Sequence, residues 1–151
     1  MRENHLWNRA KELQIETSAD IVGGFDVGFD KNIPEETKDA LMGFVYWVED
    51  HFSMPVTLWV DFKYNHYLMS AESKRVGHRF YWAAFKTFPR FENEADLPVI
   101  ELAVRTEHRS AEEILLDFIR GICQYFTWLS GSEPTVNEAE AQEVLETYLD
   151  Q

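Results

Sequence analysis

The chain has 151 residues, of which 45% are hydrophobic and 15% aromatic, and this composition suits one folded domain over residues 1–151. Its formal net charge of -13 repels phosphate backbones and anionic lipids, so nucleic acid and membrane partners are not expected. A single cysteine, a start without a signal-peptide pattern and the lack of an apolar run of roughly 20 residues favour a cytoplasmic protein.

The first half of the chain alternates predicted helices with extended segments. Apolar spacing predicts an amphipathic helix over residues 3–16. The glycine-rich run 21–29 predicts an irregular or bulged extended segment, because glycine weakens the interior of a strand. A second helix is expected over 34–52, with its proline in the first turn. Strict alternation then predicts a strand over 56–62, and a polar connection follows over 63–77.

The second half of the chain has two more predicted strands and then two helices. The strands are expected over 78–86 and 97–104. Ser110-Ala111-Glu112-Glu113 matches a capping box, which predicts the start of a helix that runs to residue 129. A last helix is expected over 137–149. Strands followed by a run of helices indicate an α+β fold, with a small twisted mixed sheet of three to four strands packed against helices.

Linear catalytic motifs are absent from the sequence. It has no GxxxxGK[ST] or GxGxxG phosphate loop and no GxSxG nucleophile elbow. No two of its five histidines share the i, i+4 spacing that presents two zinc ligands from one helix face. We therefore expect no catalytic set, no cofactor and no metal, and we expect Cys123 to act as a small buried hydrophobe.

Polar and aromatic residues cluster at and beyond the strand over 56–62. Alternation places Trp59 and Asp61 on the outer face of this strand, where a large ring either packs against a helix or lines a groove. Packing and groove both remain open at this point. A ligand groove, if present, is expected to include Trp59, Asp61, His66, Tyr67, His78 and Arg79.

The segment Glu112-Glu113-Ile114-Leu115-Leu116-Asp117-Phe118-Ile119-Arg120-Gly121-Ile122-Cys123-Gln124 and the elements around it, over 34–150, resemble the zincin-like metallopeptidase scaffold of small bacterial domains. There, a capped apolar helix carries HExxH, and a later helix supplies a glutamate ligand. The resemblance places Arg120 and Gln124 at the two histidines, Gly121 at the catalytic glutamate, and Glu140 or Glu143 at the third ligand. It implies a degenerate domain in which HExxH is not retained and Arg120 pairs with Glu140 in place of the ion. A generic amphipathic helix is the competing interpretation.

These observations lead to alternative functions. The leading hypothesis is a non-catalytic interaction or regulatory protein, whose acidic C-terminal helix binds a basic protein partner; no Lys or Arg follows Arg120. The alternative is a small-molecule-binding protein or an enzyme with a site assembled near Asp61, His66, Tyr67 and His78. An acidic imitation of nucleic acid is a third reading, disfavoured by the many aromatic residues. The sequence does not predict an oligomeric state.

Overall fold

The computed structural model describes residues 23–65, 68–69, 80–81, 83–86, 98–105 and 109–151. The predicted helix over 3–16 lies outside these residues. The elements follow in the order β1 Phe25–Phe29, α1 Glu35–His51, β2 Leu58–Lys63, β3 Leu68–Met69, β4 Phe80–Tyr81, β5 Ala83–Lys86, β6 Val99–Ala103, α2 Ala111–Leu129 and α3 Glu138–Leu149.

Four strands form the main sheet, in the order β1-β2-β6-β5. Strands β1, β2 and β6 run parallel, and β5 pairs antiparallel with β6 at one edge. A separate two-stranded sheet joins β3 to β4. The predicted α+β fold with a mixed sheet is therefore confirmed. Every described residue of the strand predicted over 78–86 lies in a strand, and these residues form β4 and β5, which pair in different sheets.

Strand β1 is more regular than its glycines suggested. Its pairing with β2 runs without a break from Phe25 opposite Leu58 to Phe29 opposite Phe62, so the predicted bulge is absent from these five residues. Gly24, which has a positive φ of 92°, lies just before the strand and takes up the unusual backbone angle. Gly28 lies on the exposed side of the sheet, where the lack of a side chain removes no core packing.

One face of the sheet carries the core. Residues Val56, Leu58, Val60 and Phe62 are all at most 1% exposed, which confirms the inward face predicted for β2 and shows that it packs against helices. The ring of Phe118 from α2 lies 5.4 Å from the rings of both Phe44 in α1 and Phe62. Because these contacts join two helices to one sheet face, the fold has a helical layer on a sheet layer.

The helix boundaries follow the predicted signals closely. The Ser110 hydroxyl accepts a hydrogen bond from the backbone N–H of Glu113 at 3.1 Å, as expected for the start of α2. Asn137 caps α3 in the same way through the backbone N–H of Glu140. Pro34 lies at the N-cap of α1, one position before the predicted first turn. None of the helices described here is long and apolar enough to cross a membrane.

Candidate functional site

Trp59 and Asp61 lie on the sheet face opposite the helices, as alternation predicted. They line a shallow groove of about 270 Å³ whose other walls come from β1 and β6; the lining residues are Asp26, Val27, Gly28, Trp59, Val60, Asp61 and Val99. The Lys63 ammonium lies 2.8 Å from the Asp61 carboxylate, and this hydrogen bond raises the pKa of Lys63. The carboxylate in the groove is thus already paired with a cation.

The other members of this predicted cluster lie outside the described residues, namely His66, Tyr67, His78 and Arg79. The ring of Trp59 is half-buried and packs against the core, while its indole nitrogen is buried and has no hydrogen-bond partner among the described residues. Trp59 therefore packs against the core and also lines the groove, so both alternatives that the sequence left open apply to this ring.

The positions that the zincin-like resemblance assigns to chemistry have other roles in α2. Gly121 packs so closely on β6 that a Cβ built on it would lie 2.9 Å from Cδ1 of Ile100. Arg120 donates a hydrogen bond to Glu138 at 3.0 Å, so its predicted pairing with Glu140 is wrong. Asn137 caps α3, so Glu138 is the first residue of this helix. The first turn of α3 meets α2 through this residue. Gln124 is only half-buried on α2.

A buried ion cluster joins the N-terminal half of α2 to its neighbours. Asp117 accepts hydrogen bonds from both Arg109 and Arg120. Arg109 is only 7% exposed and also donates to the carbonyl of Ala103 at the end of β6. Burial lowers the pKa of Arg109, and Asp117 opposes that shift. Because each charge in the cluster meets an opposite charge, its role is to hold α2 against β6 and α3.

Within the part of the chain that the structure describes, no three His, Cys, Asp or Glu side chains are placed to hold a metal ion. Cys123 is fully buried in α2, as predicted. It belongs to the hydrophobic core, where a substrate does not reach its thiol.

A larger depression, which we call the helical groove, lies between α1, the start of α2 and the end of α3. It has a volume of about 510 Å³, and its lining residues are Glu36, Thr37, Ala40, Leu41, Arg109, Ser110, Ala111, Ile114, Leu115 and Tyr148. Leu41 and Ile114 form its buried floor, whereas Leu115 and Tyr148 are half-buried at its sides. Sequence patterns do not reveal this groove, because it depends on how three helices are placed around one another.

Some acidic residues of the last helix lie on its accessible surface, whereas Glu140 and Glu143 are half-buried. Glu138, Glu146 and Asp150 are exposed, and the last turn of α3 contains no basic residue. Glu138 is paired with Arg120. Tyr148, from the last turn of α3, lines the helical groove, whereas Glu146 and Asp150, two residues to either side of it, are not among the lining residues.

The chain matches no protein-family model, and comparisons with curated proteins and with solved structures give no significant match. The zincin-like resemblance is neither supported nor contradicted by them, and it stays a prediction.

Proposed function

We propose that this protein is a non-catalytic interaction or regulatory protein that binds a basic partner through the acidic surface of α3. The observation that carries this proposal is the concentration of carboxylates after Arg120 without a single Lys or Arg among them. Arg120, the last cation in the chain, is already bonded to Asp117 and Glu138. A surface of this kind attracts basic proteins from a distance and speeds their association.

The position of these charges supports the same proposal. Glu146 and Asp150 lie at the C-terminal end of α3, where the helix dipole is negative and where a carboxylate destabilises the helix. Departures from local stability rules are expected at functional sites rather than at purely structural ones. We infer that these carboxylates serve binding more than folding.

The packing of α2 supports a non-catalytic role for the helix that resembles a zincin active site. A side chain at Gly121 would begin 2.9 Å from Cδ1 of Ile100, so it would point at β6 and not into a cleft where a general base meets a substrate. A cation at Arg120 likewise repels a metal ion. We propose that the chain retains the packing of a zincin-like scaffold and lacks its catalytic and metal-binding residues.

The experiment that tests the proposal uses the immobilised full chain to capture proteins from lysate, with elution by increasing salt. The triple variant Glu140→Gln, Glu146→Gln and Asp150→Asn should retain the fold and lose most of the captured material. The captured proteins should be basic and should leave the wild type as salt screens the charges.

A matched triple variant, Asp26→Asn, Asp39→Asn and Asp50→Asn, removes the same number of charges from exposed positions of β1 and α1. It should capture as much as the wild type. Equal losses in the two triple variants would mean that overall charge, and not the surface of α3, attracts these proteins, and the proposal would then be wrong.

A second candidate function, small-molecule binding or an enzyme site near Asp61, is favoured by the groove on the sheet face. The groove brings Trp59 and Asp26 to the same side as Asp61, so an apolar wall lies beside carboxylates. A soaked library of small cationic compounds, followed by crystallography, would support this function if electron density appeared over Trp59. Stoichiometric zinc in elemental analysis of the purified protein would contradict the non-catalytic proposal.

A further inference from the structure

We propose that the helical groove is the apolar half of the partner site and that it receives one face of a basic amphipathic helix. This inference rests on the proposed function, because it takes the basic partner as given and adds where and how that partner is held. The groove has a volume of about 510 Å³, within the roughly 300–1,000 Å³ of ligand-binding clefts.

The chemistry of the walls favours a helix over an extended peptide. Free backbone N–H groups along the groove are confined to the first turns of α1 and α2, and a helix presents no continuous edge with which an extended strand could form a ladder. A helical peptide satisfies its own backbone and contributes only side chains. Ala40 and Ala111 are exposed, small residues on opposite walls. They leave space for a third helix to approach the depth of Leu41 and Ile114.

The charges around the groove select the polar face of the occupant. Glu36 lines the α1 wall, and Glu112 is exposed beside Ala111 at the start of α2. Among the described lining residues the one cation is Arg109, and its charge is matched by the buried carboxylate of Asp117. A helix with leucine-like residues on one face and lysines on the flanks would therefore meet apolar floor and acidic rim together.

The test uses a fluorescent peptide of leucine and lysine about 14 residues long, patterned so that leucines recur at i, i+3, i+4 and i+7. A peptide of the same composition in scrambled order is the control for charge alone. Wild-type full-length protein should bind the patterned peptide about tenfold more tightly than the scrambled one, measured by fluorescence anisotropy.

The variant Ala40→Trp fills the groove from an exposed position and should weaken binding of the patterned peptide by about tenfold. Ser132→Trp places the same ring on an exposed loop beyond the other end of α2, and it should leave binding unchanged. As a measurement on the unaltered protein, methyl NMR should show shifts at Leu41, Ile114 and Leu115 on addition of the patterned peptide.

Other results of these binding measurements would overturn the groove inference or the proposed function. If both peptides bind equally in a salt-dependent way and Ala40→Trp changes nothing, the acidic partner surface stands and the groove inference is overturned. If neither peptide binds at low salt, the proposed function itself fails. A wild-type dimer that Ala40→Trp converts to a monomer in sedimentation would assign the groove to a second copy of this chain, and would also overturn the inference.

Discussion

The two halves of helix α2 have similar apolar patterns in sequence and different surroundings in the fold. In the C-terminal half, from Gly121 to Leu129, seven of nine residues are buried, whereas in the N-terminal half, from Ala111 to Arg120, the number is four of ten. The C-terminal half is enclosed by the sheet and the core aromatics. The N-terminal half is held by the Arg109–Asp117–Arg120 ion cluster and borders the helical groove.

Within this one helix, the C-terminal half serves core packing, whereas the N-terminal half leaves part of its apolar surface accessible. Leu115 and Leu116 continue the apolar pattern of α2 but are only partly buried, so part of their surface is not needed to close the core. Apolar surface left beside an acidic rim is a feature of binding sites. Substitutions in the N-terminal half should therefore act through the ion cluster and through binding, and substitutions in the C-terminal half should act through core packing.

The largest expected effect is in the N-terminal half, at Asp117. Asp117→Ala leaves the buried guanidinium of Arg109, which is 6% exposed in its side chain, without its carboxylate. Breaking a buried ion pair by removing one partner costs about 3–5 kcal/mol, so the free energy of unfolding measured with urea should fall by that amount.

Glu112→Ala, one and a half turns earlier at an exposed position, removes a carboxylate from the same helix without breaking a buried pair. Its cost should stay below about 1 kcal/mol, from the lost interaction with the helix dipole. Similar losses in the two variants would show that Asp117 acts through the dipole and that the cluster does not anchor α2.

In the C-terminal half, Gly121→Glu tests whether the position that resembles a catalytic glutamate is closed. The new side chain would meet Ile100 within the core, and overpacking together with burial of a carboxyl group should lower the free energy of unfolding by about 3 kcal/mol or more. Gln124→Glu makes a similar chemical change on a half-buried position and should cost far less. A stable Gly121→Glu protein would mean that this face of α2 is open to a ligand.

The fold was largely predictable because its signals are local. Capping at Ser110, the proline at the start of α1 and the alternation in β2 each act within a few residues. The sequence could not predict that β4 and β5 belong to different sheets, since strand pairing is decided by contacts distant in the chain. The regular pairing of β1 was also missed, because Gly28 faces the open side of the sheet, where a missing side chain costs little.

The candidate sites were predictable in part and for a similar reason. The acidic character of α3 follows from composition alone. The placement of Trp59 and Asp61 on one face follows from the two-residue period of a strand. The partner of Arg120 could not be predicted, because the loop before α3 decides which carboxylate it meets. The helical groove requires three helices from separate parts of the chain, and no local pattern marks it.

A smaller effect is expected at Tyr125, which anchors the C-terminal half of α2 to the start of β2. Its hydroxyl donates to the carbonyl of Val56 and accepts from the backbone N–H of the same residue. Tyr125→Phe leaves both groups unpaired in a fully buried position. The free energy of unfolding at neutral pH should fall by about 1–3 kcal/mol.

The pH dependence of the same variant gives an independent check. Burial raises the pKa of Tyr125 above its usual value, so above pH of about 10 the unfolded chain releases a proton that the folded chain keeps. The wild type should then lose up to about 1.4 kcal/mol of stability per pH unit through this group. Tyr125→Phe lacks that loss, and the difference between the two proteins should narrow as the pH rises. A constant difference would mean that the hydroxyl is not buried in solution.

The smallest effect has the opposite sign and concerns the acidic end of α3. Glu146→Gln and Asp150→Asn remove negative charges from the negative end of the helix dipole, so each should raise the free energy of unfolding by about 0.3–1 kcal/mol at low salt. Glu36→Gln is the matched control, since it removes a carboxylate from the first turn of α1, where the dipole favours it, and should lower stability. High salt should reduce all three differences. If the α3 variants were instead less stable than the wild type, these carboxylates would contribute to folding, and their placement would no longer support a binding surface.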